Sequence, residues 1–189
     1  MNLKTFVKVN SITNLSDARY CAGMGVNQLG FCEDPEDKNY VSKATIDEIT
    51  GWISGVEIVS EINNKNITTT TELVETCSLH NISAEKKVSI KLTIEEAEKN
   101  IEDLQKLSNL AYVMVIDNGN IDESKLNRIN LLSSQLPIVV GFGITAENVN
   151  SIIEASQIKG IALSGTDEIR PGFKDYNELG DILEAIEVD

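Results

Sequence analysis

The sequence predicts an α/β fold: a compact closed barrel of eight β/α units, (β/α)8, in one domain over residues 1–189. Short β-branched apolar runs alternate with stretches of helical periodicity, the pattern of successive β/α units around a parallel sheet. There are eight such runs, the number a closed barrel needs. The competing architecture, an open doubly wound sheet, is expected to carry a glycine-rich turn after its first strand. Here that turn reads Asn10-Ser11-Ile12-Thr13-Asn14, without glycine.

The predicted strands are Thr5 to Val9, Asn27 to Phe31, Val56 to Ser60, Leu73 to Ser78, Val88 to Leu92, Tyr112 to Ile116, Ile138 to Gly141 and Gly160 to Leu163. Leu15, Ala18 and Ala22 keep one face of a helix that Gly25 terminates, and Ala97, Ile101 and Leu104 do the same after Thr93. Leu126, Ile129 and Leu132 mark a further helix. Val149, Ile152 and Ile153 form the stripe of one beginning near Thr145, whose side chain is placed to cap it, and Leu179, Ile182, Leu183 and Ile186 form the last. The third unit is expected to be reduced. Its connection, Asn63 to Thr71, is rich in Asn and contains four consecutive Thr, all poor interior helix formers.

With 16 Lys plus Arg against 30 Asp plus Glu, the net charge is −14, which repels nucleic acid and anionic membranes at long range. A small phosphorylated metabolite held by local backbone amides remains compatible with that charge. Three cysteines (Cys21, Cys32, Cys77) at wide spacings offer neither a disulfide framework nor a CxxC motif, which fits a reducing cytoplasm. There is no apolar run of roughly 18 residues and no secretory leader pattern. With a single His, a multi-His metal centre is excluded, and neither metal nor cofactor is expected.

In such barrels the reactive residues stand at the C-terminal strand ends. Those positions are Asn10, Cys32, Glu61, His80, Asp117, Gly143 and Ser164. Val139-Val140-Gly141-Phe142-Gly143-Ile144-Thr145 ends the seventh strand in a glycine turn, and Leu163-Ser164-Gly165-Thr166 ends the eighth. Gly141, Gly143, Ser164 and Gly165 thus occupy the usual phosphate location of these barrels, although a glycine pair can also serve a tight turn alone.

The run Lys8-Val9-Asn10-Ser11-Ile12-Thr13-Asn14-Leu15-Ser16-Asp17-Ala18, followed by Leu29-Gly30-Phe31 and Tyr40-Val41-Ser42, resembles the opening of phosphoribosylanthranilate isomerases, K-I-C-G-I-T-N-x-x-D-A. Gly141 to Val149 is similar to that family's S-G-G-L-x-x-E-N-V. The stretch from Ser164 through Pro171-Gly172-Phe173-Lys174-Asp175 is similar to its D-x-S-S-x-x-E-x-x-P-G-x-K-D ending. The middle, about Asn63 to Leu92, matches poorly. The resemblance implies a TIM barrel and an Amadori-type aldose–ketose isomerisation in tryptophan biosynthesis, with a general acid to open the ribose ring and a general base to take the C2 proton.

On the family's pattern Asp117 stands where the acid does, and Asn10 stands at the position of the catalytic Cys. An amide has no titratable proton in the useful range, and losing the base costs about 10²–10⁴ in rate. The Arg that grips the anthranilate carboxylate is Asn39 here, and the Asp opening D-x-S-S is Ala162. Lys8 and Lys91 match lysines that the family turns into the barrel. Their alternative is an interior ion pair with a carboxylate such as Glu57. Cys32 is a speculative relocated base, against the plainer reading of a buried core thiol. His80 is read as a solvent-facing loop residue, and Glu33-Asp34-Pro35-Glu36-Asp37 as a solvated acidic loop. Two functions stay open: an isomerase of this kind, or a non-catalytic barrel that binds a phosphorylated metabolite or a protein partner.

Overall fold

The computed structural model describes residues 2–62, 69, 71–79, 85–165, 168–170, 173–174 and 177–188. Eight parallel strands close in chain order: β1 (Phe6–Asn10), β2 (Gln28–Cys32), β3 (Glu57–Ile62), β4 (Leu73–Thr76), β5 (Lys87–Thr93), β6 (Leu110–Ile116), β7 (Ile138–Val140) and β8 (Gly160–Ser164). β8 returns to β1 in the register Lys8↔Ala162 and Asn10↔Ser164. Each of the eight predicted runs overlaps one of these strands. An antiparallel hairpin, β9 (Glu168–Arg170) with β10 (Phe173–Lys174), follows β8.

The helices are α1 (Leu15–Gly23), α2 (Lys43–Thr50), α3 (Ile94–Lys99), α4 (Ile101–Gln105), α5 (Glu123–Ser133), α6 (Val149–Ala155) and α7 (Asn177–Ala185). Gly25 has φ 77° just beyond α1, the left-handed conformation that ends a helix. α2, absent from the periodicity reading, buries only Ile46 and Ile49 and starts at a Ser42 cap that accepts from the Thr45 amide. The single helix expected after Thr93 is two. Asn100 (φ −114°, ψ 16°) breaks the helical dihedrals, and its side-chain amide bonds the Glu96 carbonyl at 2.7 Å.

Thr145 is not the cap of α6. Residues 146–148 form a turn, the Thr145 amide donates to Asn148 Oδ1 at 2.8 Å, and the helix begins at Val149. The connection expected to be reduced, Asn63 to Thr71, lies mostly outside the described residues; among the described residues no helix falls between β3 and β4 or between β4 and β5.

Two apolar layers result. The larger packs the outer strand faces, including Val7, Leu29, Phe31 and Val113, against Ala18, Leu104, Ile129 and Leu183 of the helices. The smaller fills the barrel with Val59, Leu73, Tyr112, Met114, Val139 and Ala162. Strand alternation separates these sets and turns Lys8, Asn10, Gly30, Glu61 and Glu75 inward too.

Candidate functional site

Below the mouth, β1 places Lys8 wholly inside the barrel, 2.9 Å from Glu61 Oε1 on β3 and 2.6 Å from Glu75 Oε2 on β4. Burial alone would lower the ammonium's pKa. The two carboxylates outweigh it and hold the group above the ordinary lysine range. Gly30 makes the pair possible, because a Cβ there would overlap the Glu61 carboxylate and stand 3.1 Å from Lys8 Cε. Glu57, the partner anticipated for an interior lysine, instead accepts from Gln28 Nε2 at 2.6 Å. Gln28 Oε1 in turn accepts from the buried Tyr112 hydroxyl at 2.8 Å.

The ion pair reaches the mouth through Glu61. Its Oε2 accepts from the Ser11 amide at 3.1 Å and from Ser11 Oγ at 3.2 Å. Ser11 has φ 54°, the left-handed conformation that non-glycine residues seldom take, and Glu61 holds it there. The register of β1 with β8 sets Asn10 opposite Ser164, where its Nδ2 reaches Ser164 Oγ at 3.4 Å. Asn10 Oδ1 is buried and has no hydrogen-bond partner among the described residues.

Among the described residues two cavities reach the strand ends, beside a third of about 260 Å³ lined by Thr145, Ala146, Glu147, Glu178 and Asp181. The larger of the two at the strand ends, about 190 Å³, lies between the ends of β7 and β8 and the first turns of α7; Gly141, Phe142, Gly143, Ser164 and Glu178 are among its walls. Gly143 has φ 62°, and a Cβ there would stand 2.8 Å from the Gly119 carbonyl, so glycine is required on both counts. Three of the four anticipated phosphate residues therefore face one space, with Gly165 half-buried beside Ser164. Ala162 lines the same space from its buried position. Glu178, which the strand-end reading did not reach, brings a carboxylate to this rim from the first turn of α7. The smaller cavity, about 40 Å³, is lined by Ser11, Cys32, Asp37, Glu61 and Lys91, among others. Lys91 makes no ion pair among the described residues.

Asp117 is engaged locally. It accepts from the Asn118 amide at 2.7 Å and pairs with Lys125 at 3.3 Å. The Asn118 N–H first, and then Lys125, hold its carboxyl below the usual carboxylate range, so it stays ionised at neutral pH. Lys125 also lies 5.3 Å over the Phe142 ring. Cys32 lacks the character of a thiolate base: burial, with Asp37 and Glu61 adding to it, pushes the thiol up to about 11, against a backbone N–H from Asp34. Asn39 donates its amide to Asp37 Oδ1 at 2.8 Å and lines neither cavity. Lys8 lies beneath the mouth rather than in it. His80 falls outside the described residues. The acidic run is only partly solvated: Glu33 and Asp34 are buried, Glu33 accepting from Ser60 Oγ, because the segment folds back over the end of β3. Among the described residues no group of acidic, His or Cys side chains is arranged to hold a metal ion, and no helix is long and apolar enough to cross a membrane.

A closed barrel of eight parallel strands with helices between them defines the class: a TIM barrel. No family model matches the chain. A curated N-(5'-phosphoribosyl)anthranilate isomerase from Thermosynechococcus vestitus is 26% identical over 201 residues, covering 94% of this chain and 87% of that protein. One from Sulfurihydrogenibium sp. is 19% identical over 198 residues, covering 95% and 98%. The crystal structure of the Thermotoga maritima phosphoribosylanthranilate isomerase superposes with a TM-score of 0.76 at 18% identity over 96% of this chain and 98% of that one. A phosphoribosylanthranilate isomerase structure in complex with reduced 1-(o-carboxyphenylamino)-1-deoxyribulose 5-phosphate gives 0.74 at 18% identity, with the same coverage. Over nearly its whole length the chain is similar, at low identity, to curated phosphoribosylanthranilate isomerases.

Proposed function

We propose that this single-domain barrel binds a small phosphorylated metabolite at its C-terminal mouth, as a phosphoribosylanthranilate-isomerase-like protein that no longer carries out the family's isomerisation. The phosphate lies in the cavity over β7 and β8, against the backbone of Gly141, Gly143, Ser164 and Gly165. This placement follows the usual phosphate location of the fold and is consistent with the phosphorylated ligand of the neighbouring isomerase structure.

One observation favours loss of the parent reaction over its retention: the inward side chain ending β1, where the family's base stands, is the amide of Asn10, hydrogen-bonded to Ser164. Cys32, the thiol ending β2, is protonated at neutral pH. Asp117, at the place of the family's acid, is engaged by the Asn118 amide and Lys125. Without the base the parent reaction is slower by about 10²–10⁴. Asn39, in place of the arginine, leaves the anthranilate carboxylate without its cation.

Expression in a tryptophan auxotroph lacking the isomerase tests this reading. A well-expressed protein is expected not to restore growth, and growth would overturn the loss of activity. A thermal-shift competition screen of phosphorylated metabolites is expected to return at least one that raises Tm, since a ligand binding only the native state stabilises it. A screen in which none does so at millimolar concentration refutes the binding function.

A further inference from the structure

We infer that Asn118 is a self-modification site: the backbone nitrogen of Gly119 attacks its side-chain amide, giving a succinimide and then aspartate or isoaspartate in the loop between β6 and α5. Asn118 is the only asparagine of the chain that glycine follows. Residues 118–120 are exposed, and a Cβ built at Gly119 would meet nothing within 4 Å, so no side chain shields the attacking nitrogen or the water that opens the ring. Gly119 has φ 72°, a bend that glycine takes without cost. Among the described residues neither the Asn118 side-chain amide nor the Gly119 N–H makes a hydrogen bond, so no such contact has to break before the two meet.

Lys125 supplies what the dipeptide alone lacks. Its Nζ donates to the Asn118 carbonyl oxygen at 2.6 Å. That carbonyl and the Gly119 nitrogen belong to one peptide group, so when the N–H proton is lost the negative charge spreads onto an oxygen that already faces an ammonium. Asp117 holds the other side of Asn118, accepting from its N–H at 2.7 Å, and the Asp117 charge is itself offset by Lys125 at 3.3 Å. In the step the Gly119 proton goes to water, the nitrogen bonds to the side-chain carbonyl carbon, and the side-chain nitrogen leaves as ammonia with a proton from water. A second water opens the ring at either carbonyl. The product carries a carboxylate where a neutral amide stood, and in the isoaspartate form the backbone is longer by a methylene. The Gly119 carbonyl lies against Gly143, where a Cβ would stand 2.8 Å from it, so the change reaches a wall of the cavity over β7 and β8.

The test incubates the folded full chain at neutral pH and physiological temperature and follows isoaspartate by peptide mapping with mass spectrometry, for the wild type, Lys125→Met, Lys125→Arg and Asn118→Gln. Isoaspartate forms only through the ring, so it separates this route from direct hydrolysis. In the wild type it is expected at Asn118 and not at the exposed Asn120, whose neighbour Ile121 shields the nitrogen. Lys125→Met is expected to slow conversion about tenfold, the worth of a hydrogen bond from a charged donor. Lys125→Arg, which keeps the charge, is expected to retain most of the rate, and Asn118→Gln to abolish the signal. In denaturing urea, where the Lys125 contact is gone, the wild type and Lys125→Met are expected to convert equally. The Gly143 amide is expected to shift in the NMR spectrum of the converted protein. Absence of isoaspartate at Asn118 in the wild type, or a folded Lys125→Met that converts as fast as the wild type, overturns the inference. Slowing of the same size in urea overturns the role of the Lys125 contact, and an unmoved Gly143 amide overturns the reach to the cavity wall.

Discussion

Replacing Lys8 by methionine keeps the length of the side chain and removes its charge from between two inward carboxylates. The consequences differ for the two. Glu61 keeps Ser11 as a donor through both amide and hydroxyl and is 12% exposed, so much of its solvation survives. Glu75 is 3% exposed and, among the described residues, keeps only the Ser89 hydroxyl, at a long 3.4 Å. The cost falls mainly on Glu75 and is about 3–5 kcal/mol, the usual penalty for breaking a buried pair from one side. For a chain of this size that lowers Tm by about 6–20 °C.

Thermal and denaturant unfolding of Lys8→Met, Glu75→Gln and the double variant form a cycle. The double variant is expected to recover much of the loss, because the stranded charge is gone. The pH dependence follows from the raised Lys8 pKa. A lysine raised by folding stabilises in full below its unfolded value of about 10.4, and that stabilisation declines as pH climbs above it. The gap between wild type and Lys8→Met is therefore expected to be flat from neutral pH to about 10 and to narrow beyond. A single variant within about 2 °C of wild type, or a double variant with fully additive losses, would refute the reasoning.

Gly30→Ala forces a methyl into the Glu61 carboxylate and is expected to cost about 1–3 kcal/mol in urea unfolding, without adding or removing any charge. In alkylation at pH 7.5 followed by mass spectrometry, the exposed Cys77 is expected to react before Cys32 and Cys21, which are buried. Raising the pH towards 11 speeds Cys32, whose thiol is pushed up to about that value. Lys125→Met removes one of the three groups that lower Asp117 and leaves the Asn118 amide and the Arg128 charge, so the Asp117 titration followed by NMR moves upward but stays below the ordinary carboxylate range. Because a depressed carboxylate stabilises above its unfolded pKa and loses that contribution as pH falls, the variant is expected to lose less stability than wild type on acidification.

The strands were legible because their signal is local: apolar runs such as Tyr112-Val113-Met114-Val115 are buried on both faces whatever lies beside them. The helices were legible where the apolar stripe was long enough. α2 offers two buried isoleucines in eight residues, too few to stand out. The break at Asn100 depends on a side-chain bond to the Glu96 carbonyl that leaves the apolar spacing undisturbed. Of the candidate site, Gly141, Gly143 and Ser164 were readable from their strand-end positions, since the topology alone places them together. The partners of Lys8 were not, because they are set by the register of β3 and β4 and by the space left at Gly30. Nor was the engagement of Asp117, which depends on a lysine projecting from α5, or the burial of Glu33 and Asp34, whose sequence is that of a solvated loop.

The interior ion pair also bears on the order in which the chain is made. Lys8, Glu61 and Glu75 belong to β1, β3 and β4, so every charged partner has left the ribosome once residue 76 has emerged. The oily filling of the other side draws on Tyr112, Met114, Val139 and Ala162 of β6, β7 and β8, and is complete only when β8 closes against β1. The nascent amino-terminal half therefore carries its own electrostatic clasp, while the carboxy-terminal half waits for the last strand to seal it.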